Sequence, residues 1–346
     1  MTGATHQAWI DQIQEDVIDP DLPICDPHHH LWLDTGHTGW PYTLDDLLAD
    51  TASVGSGARS HNVVKTVFLE CHAQYRGDGP EHLRPVGETE FVIDLAEQSA
   101  ARRLATGTGA EIAAIMGHAD LGLGTAVEEV LVAHAEAGRG RFRGVRYICA
   151  QDPHPPLSMA PNAAMDDPRY LDGVRTVGSM GFTYDAMVYH PQLDELVAVA
   201  RACPETPIVI DHLGAVLGIG PYKDRRSEIL AQWRRSMSAL AACPNTFLKL
   251  GGIGMPMMGY RWDKQEVPPT SEELAAPWAE PIRWVIDAFG PDRCMFESNF
   301  PVDKRGAGYV VLWNAFKRIS ADYSVSEKRD LFHDSAARAY RLEPVD

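Results

Sequence analysis

The chain has 346 residues, 45% hydrophobic and 23% charged, with a formal net charge of -17 at pH 7. That length holds either two small domains or one α/β barrel, and the composition is ordinary for a globular chain. So large an acidic excess excludes nucleic acid and anionic membrane as partners, because both require a basic surface.

The first 22 residues are polar and lack the basic-then-apolar order of a signal peptide. They are expected to form an N-terminal extension, with residues 23–346 as a single domain. No apolar run approaches the roughly 20 residues that span a bilayer, so a cytoplasmic protein without a membrane partner is expected. The cysteines Cys25, Cys71, Cys149, Cys203, Cys243 and Cys294 include no Cys-x-x-Cys pair. They read as buried reduced thiols, not as a disulfide framework or a thiolate zinc site.

From residue 24 onward short β-like runs alternate with helical patterns. Ile24–Asp26 precedes a helix at Leu44–Ala52, Val63–Glu70 one at Glu90–Leu104, Glu111–Gly117 one at Ala126–Ala137, and Phe142–Cys149 one at Pro168–Val177. Gly181–Asp185 then leads to Gln192–Ala202, Pro207–Asp211 to Ser227–Ala242, Thr246–Leu250 to Ser271–Phe289, and Cys294–Ser298 to Tyr309–Ile319. Ser326–Tyr340 is expected as a closing helix. Eight strand–helix units, each strand an apolar run and not half of a hairpin, predict a parallel sheet closed into a (β/α)8 TIM barrel. An open doubly wound sheet would carry a glycine-rich phosphate turn after its first strand, where Asp26-Pro27-His28 stands instead. The long Gly/Pro-rich segments Ala73–Thr89, Ala150–Asp167, Leu213–Arg226 and Gly251–Pro269 all follow strands, which gathers them on one face of the barrel.

The strand ends, read in order, collect His28 and His30, Glu70 and His72, His118, Arg146, Asp185 with His190, His212, Lys249, and Glu297-Ser298-Asn299. Ionisable groups that close apolar strands are costly unless hydrogen-bonded or bound to metal. His28 and His30 share one face of an extended strand, with His29 opposite. With 14 histidines in the chain about one His-x-His is expected by chance, so the weight lies on its position at the first strand end. Arg146 is a clamp for a substrate carboxylate, or a strut paired with Glu70 or Asp152. Lys249 is a buried ion pair or a catalytic group, and Glu70 is a partner for one of these cations. Trp32, Trp40, Tyr42 and the loop Met255–Trp262 suggest apolar walls for a ring-shaped substrate, or else loop packing or a subunit contact. No Gly-Lys-Ser/Thr follows the glycines of 214–220, so a nucleotide site is not expected.

Asp-Pro-His-His-His-Leu-Trp at 26–32, Gly144-Val145-Arg146, Asp211-His212-Leu213-Gly214, Lys249-Leu250-Gly251-Gly252 and Phe296-Glu297-Ser298-Asn299-Phe300-Pro301-Val302 occur in order along the chain. Together they resemble the amidohydrolase superfamily, in particular its amidohydrolase-related branch of sugar-lactone hydrolases such as fuconolactonase and pyrone dicarboxylate lactonase. The resemblance implies a (β/α)8 barrel that hydrolyses an ester, lactone or amide of a small molecule. It also implies that His28, His30 and His212 surround the reaction centre, with or without zinc or another divalent ion. A strand-eight aspartate usually serves as the base for water, and here Asn299 fills that slot. A neutral amide cannot take a proton from water at ordinary pH, and it binds a dication less well than a carboxylate.

Three substitutes are open. A metal on His28, His30 and His212 lowers the pKa of its water while Asn299 orients it; a histidine acts as base without metal; or Glu297, Asp303, Glu70 or Asp185 supplies the carboxylate. The leading expectation is a hydrolase that opens a lactone or other cyclic ester by water attack. His28, His30, His212, Asn299 and Arg146 are its catalytic set, and Glu70, His72, Arg146, Asp185, His190, Lys249 and Trp32 line a site for a ring-containing, anionic substrate. Rival readings are a metal-dependent decarboxylase of an aromatic acid, against which Asn299 counts, and a ligand-binding barrel that has lost its base. The sequence leaves open whether the chain forms a homo-oligomer.

Overall fold

The apolar runs become eight strands in a computed structural model, which describes residues 3–34, 36, 38–52, 60–154, 157–160 and 164–343. They are β1 (Ile24–His29), β2 (Val63–Leu69), β3 (Glu111–Gly117), β4 (Phe142–Ile148), β5 (Thr183–Met187), β6 (Ile208–Ile210), β7 (Thr246–Leu250) and β8 (Cys294–Phe296). Every neighbour in the order β1 to β8 pairs in parallel. Just past β8, Phe300 closes the ring onto β1 through a parallel bridge to His29 and a 2.8 Å hydrogen bond from His30 N to Phe300 O. The predicted TIM barrel is the fold.

Both faces of such strands are covered, which is why they read as continuous apolar runs. Cys25, Val67, Leu69, Ala114, Met116, Val209 and Met295 form the inner core, while neighbours such as Phe68, Ile112, Ile115 and Leu248 pack outward against the helices. Ala336, Ala339 and Tyr340 of the last helix also join the inner cluster, and Thr183 Oγ1 at the start of β5 donates to Ala339 O at 2.8 Å. This helix therefore plugs the barrel at the end where the strands begin. All six cysteines are free and buried.

Several helix boundaries differ from the pattern for local reasons. The span predicted at Ser271–Phe289 is two helices, Ser271–Ala275 and Ala279–Phe289, with Pro277 between them lacking the N–H that a continuous helix needs. Ser326–Tyr340 is likewise divided, into Val325–Arg329, a π turn over Asp330–Asp334, and Ser335–Tyr340. The helix after β2 runs Val86–Thr106, starting behind Pro85 and ending at Gly107 in the left-handed conformation. A short helix, Gly3–Ile10, was not signalled by periodicity. It is fastened to the loops beyond β7 and β8 by Trp9 Nε1 donating to Gln265 O (3.0 Å) and by His6 Nε2 at 2.7 Å from Lys304 O. In the predicted loop 150–167, residues 155–156 and 161–163 lie outside the described residues. No described helix is long and apolar enough to cross a membrane.

Candidate active site

The site begins with how β1 is anchored. All six residues of Ile24–His29 are buried. Asp26 Oδ1 accepts a hydrogen bond from Ser298 N (2.9 Å), and its Oδ2 accepts one from Tyr309 OH (3.0 Å). Burial pushes the Asp26 carboxyl up to about 6. It ties β1 to the turn after β8, so the first and last strands present their ends side by side. His29 faces the helix layer, with Nε2 3.0 Å from Thr66 Oγ1 and its ring against Phe68.

His28 and His30 face the other way, their Nε2 atoms 3.2 Å apart. Nδ1 of His30 stands 2.8 Å from Leu69 O, and because a carbonyl only accepts, the His30 proton belongs on Nδ1. His212 enters through the turn Asp211-His212-Leu213-Gly214, where His212, Leu213 and Gly214 all have φ between 54° and 66°. Its Nδ1 donates to Glu297 Oε1 at 2.7 Å, and its backbone N donates to the same oxygen at 3.2 Å. Glu297 Oε2 lies 2.8 Å from His28 Nδ1, and the His28 and His212 rings are 4.5 Å apart.

Two glycines at the end of β7 make room for this bridge. A Cβ at Gly251 would stand 2.2 Å from Glu297 Cγ, and one at Gly252 would stand 2.8 Å from His212 Cβ. Burial works to raise the Glu297 carboxyl, but His212 and His28 hold it below the ordinary carboxylate range. Burial works to lower His212, and Glu297 and Asp211 outweigh it and raise the imidazole. His28 is lowered, first by burial and then by the Lys249 ammonium.

Below the histidines lies a buried charge network. Lys249 Nζ is 2.7 Å from Asp185 Oδ2, 3.0 Å from Asp211 Oδ1 and 3.2 Å from His28 Nδ1. Tyr340 OH donates to Asp185 Oδ2 at 2.7 Å. The Lys249 ammonium can only donate, so Nδ1 of His28 accepts from it and the His28 proton lies on Nε2. That Nε2 then donates to Nε2 of His30, whose own proton is on Nδ1.

The same 3.2 Å is also a separation that two nitrogens on one divalent ion can take. A pair of Zn–N bonds of about 2.0–2.1 Å meeting at a tetrahedral angle separates its nitrogens by about 3.3 Å. His28, Asp211 and His212 also offer donor atoms that all lie within 4.8 Å of one another. Asp211 Oδ2 is buried without a hydrogen-bond partner among the described residues. A set of imidazoles with one carboxylate, their outer nitrogens tied to Leu69 O and Glu297, fits a divalent ion such as zinc.

A second group occupies the ends of β2 to β4. Arg146 Nε donates to Glu70 Oε1 at 2.9 Å and its Nη2 to Glu70 O, which selects the strut over the free clamp. Asp152, the other partner considered, accepts from Tyr222 OH at 2.6 Å. His72 Nδ1 is 3.5 Å from Glu70 Oε2, and its side chain is 54% exposed. Its ring lies 5.6 Å from that of His118, which in turn stacks on Tyr147 at 5.8 Å. Glu70 Oε2, Tyr75 OH and His118 Nδ1 are buried without hydrogen-bond partners among the described residues.

Asn299, with φ 53°, directs its Nδ2 at Asp303 Oδ1 (2.9 Å), and Gly254 N donates to Asp303 Oδ2 (2.9 Å). Burial pushes the Asp303 carboxyl up to about 7.

The family model described as amidohydrolase matches residues 25–342. The chain belongs to the amidohydrolase family. It is 31% identical to the protein y4mH of Sinorhizobium fredii, over 93% of this chain and 99% of that one. It is 28% identical to an L-fucono-1,5-lactonase of Burkholderia multivorans, over 91% and 98%. Among solved structures, an amidohydrolase from Burkholderia multivorans with bound zinc superposes with a TM-score of 0.69 at 24% identity, covering 92% of this chain and 99% of that one. That likeness establishes the fold.

In this amidohydrolase, a hydrolytic enzyme, the expected residues separate into three groups. His28, His30 and His212 converge, with Asn299 on the turn beside them. Arg146, Glu70 and His72 form a neighbouring wall. Lys249 and Asp185 are fully buried, as His28 is, and Lys249 reaches His28 Nδ1 at 3.2 Å. Nδ1 of His190 accepts from Leu217 N (3.2 Å) and its ring meets Tyr222 edge-on, so it holds the loop after β6. Trp32 is 2% exposed, donates to Trp40 O and stacks 6.0 Å behind His30. The loop Met255–Trp262 packs inward, with Met255 and Met258 buried and Tyr260 stacked on Trp262 at 5.5 Å. Asp211 and the bridging role of Glu297 were missed. The signal for Asp211 was its place beside His212, and for Glu297 its place next to the strand-eight slot.

Proposed function

We propose that this chain hydrolyses a lactone, using His28, His30 and His212, with Asp211 beside them, to hold a divalent ion. The observation that carries the reading is the cluster of His28, Asp211 and His212, whose donor atoms lie within 4.8 Å of one another, with Asp211 Oδ2 buried and without a hydrogen-bond partner among the described residues. Family membership and the similarity to a protein named as an L-fucono-1,5-lactonase support it. When bound, such an ion lowers the pKa of a water and polarises the substrate carbonyl.

The protein's own groups do the remaining work. Leu69 O and Glu297 fix the ring orientations of His30 and His212, and Glu297 flanks His28. Asn299 accepts a hydrogen bond from the attacking water through Oδ1, without taking its proton. As the water oxygen bonds to the carbonyl carbon it gives up a proton, the ring C–O bond breaks, and the departing ring oxygen takes up a proton in its place and leaves as a hydroxyl. The rings of His72, His118 and Tyr147 offer a flat wall for a cyclic substrate, and Tyr75 OH, His118 Nδ1 and Glu70 Oε2 offer it polar partners. An anionic group on the substrate would meet the edge of Arg146 that Glu70 leaves over.

Metal analysis of protein purified without chelator, paired with turnover on a panel of sugar and aromatic lactones, tests the reading. Near-stoichiometric zinc or another divalent ion with lactone opening is the expected result. Full activity in metal-free protein would transfer the role to the histidines alone. A panel that stays untouched, with and without added metal, would overturn the proposal; if Asn299→Asp then became active, the barrel would be a binding protein that had lost its base.

A further inference from the structure

We propose that Asp303 is a positioning residue of the hydrolysis: it grips the Asn299 carboxamide by Nδ2 and thereby turns Asn299 Oδ1 toward the attacking water. The proposal rests on the lactone reading above and deepens it.

The amide turns its nitrogen to Asp303, where Nδ2 donates to Oδ1 at 2.9 Å. The planar amide then carries its oxygen on the opposite edge, and none of the described residues donates to that oxygen. Asp303 cannot swing away, because Gly254 N holds Oδ2 at 2.9 Å and its own backbone N donates to Asn299 O at 3.1 Å. A side chain at position 254 would crowd it, since a Cβ there would lie 3.2 Å from Asp303 Cγ.

The turn itself is pinned to the histidine strand. Ser298 N is bonded to Asp26 and Phe300 O to His30 N, so Asn299 between them has a fixed place beside His28 and His30. Lys304, the nearest cation in sequence, reaches instead to Asp50 at 2.9 and 3.0 Å. The amide is left as the side-chain donor to Asp303 among the described residues. The arrangement also explains why residue 299 is neutral: with Asp303 2.9 Å away, a second carboxylate there could not ionise alongside it. The carboxylate stands four residues later, and the two positions are complementary, so that exchanging both preserves a donor facing an acceptor.

The test compares Asp303→Ala, Asp303→Asn, Asn299→Asp and the exchange Asn299→Asp/Asp303→Asn in the full-length protein. Each is assayed for kcat and KM on a lactone that the wild type opens, with melting temperatures recorded alongside. The expected result is that Asp303→Ala lowers kcat about tenfold or more, with KM within about twofold. Asn299→Asp is also slow, and the exchange recovers at least about tenfold over it. Wild-type kcat in folded Asp303→Ala, or an exchange no better than the product of its single variants, would overturn the proposal. Should the wild type open no lactone, the failure belongs to the lactone reading, and the side-chain amide resonance of Asn299 still decides this one. A shift of that resonance on Asp303→Asn supports the grip, and an unmoved resonance removes it.

Discussion

Nδ1 of His212 donates to Oε1 of Glu297 across 2.7 Å, and that contact decides which nitrogen of the imidazole is left for chemistry. The second oxygen of the same carboxylate lies 2.8 Å from Nδ1 of His28, so one buried residue sets two candidate ligands at once. Glu297→Gln keeps the shape and loses this ability, because an amide has one accepting end and one donating end. A loss of about 10- to 100-fold in kcat/KM or in metal affinity is expected. Zinc titration and steady-state kinetics on the same preparation measure it, and unchanged values in both would remove Glu297 from the site's support.

His30 turns its Nε2 to that of His28 while its Nδ1 is spent on Leu69 O. His30→Ala should leave a folded barrel, since β1 is also anchored through Asp26, and should abolish most turnover. Circular dichroism reports the fold and the lactone assay the activity. A folded variant with full kcat would sink the assignment.

Lys249 is the cation that two buried carboxylates share. Lys249→Met preserves much of the volume and leaves Asp185 and Asp211 without compensation. Removing one partner of such a pair typically costs about 3 to 5 kcal/mol. Urea denaturation should show the loss, and a midpoint equal to that of the wild type would mean that the carboxylates tolerate burial without Lys249.

Asp303 gives a pH dependence whose sign is fixed. Its carboxyl is pushed by burial from 3.8 up to about 7 in the folded chain, so the folded state holds the proton more tightly than the unfolded state. Stability is therefore lost as pH rises from about 4 to about 7 and changes no further above that, by at most about 4 kcal/mol from this group. Asp303→Asn has no such penalty. Its melting temperature relative to wild type should climb between about pH 4 and pH 7, and its activity should be below that of the wild type. A difference that shrinks with rising pH would reverse the argument.

The barrel was legible because eight apolar runs alternate with helical patterns, and His28 with His30 was legible because the pair ends the first of those runs. Asn299 was readable as a departure at a known slot. What filled the gap was not readable, because Glu297 and His212 are 85 residues apart and Arg146 and Glu70 are 76 apart. Spacing along the chain carries no information on such pairs until the barrel brings strand ends together. Lys249 and Asp185, 64 residues apart, pair for the same reason only once β5 and β7 stand in one barrel. Pro277 did mark its break, and the predicted helix ran through it because the apolar pattern continues on both sides.

The hydroxyl of Tyr340 on Asp185 sets an order of events during synthesis. Asp185 is made 155 residues before the tyrosine that donates to its Oδ2, and Thr183 beside it is made 156 residues before Ala339. While the chain is still on the ribosome, all eight strands can have emerged with the barrel floor still open and water able to reach the Lys249 network. The histidine cluster thus acquires its dry foundation last, when the final helix closes under the strands.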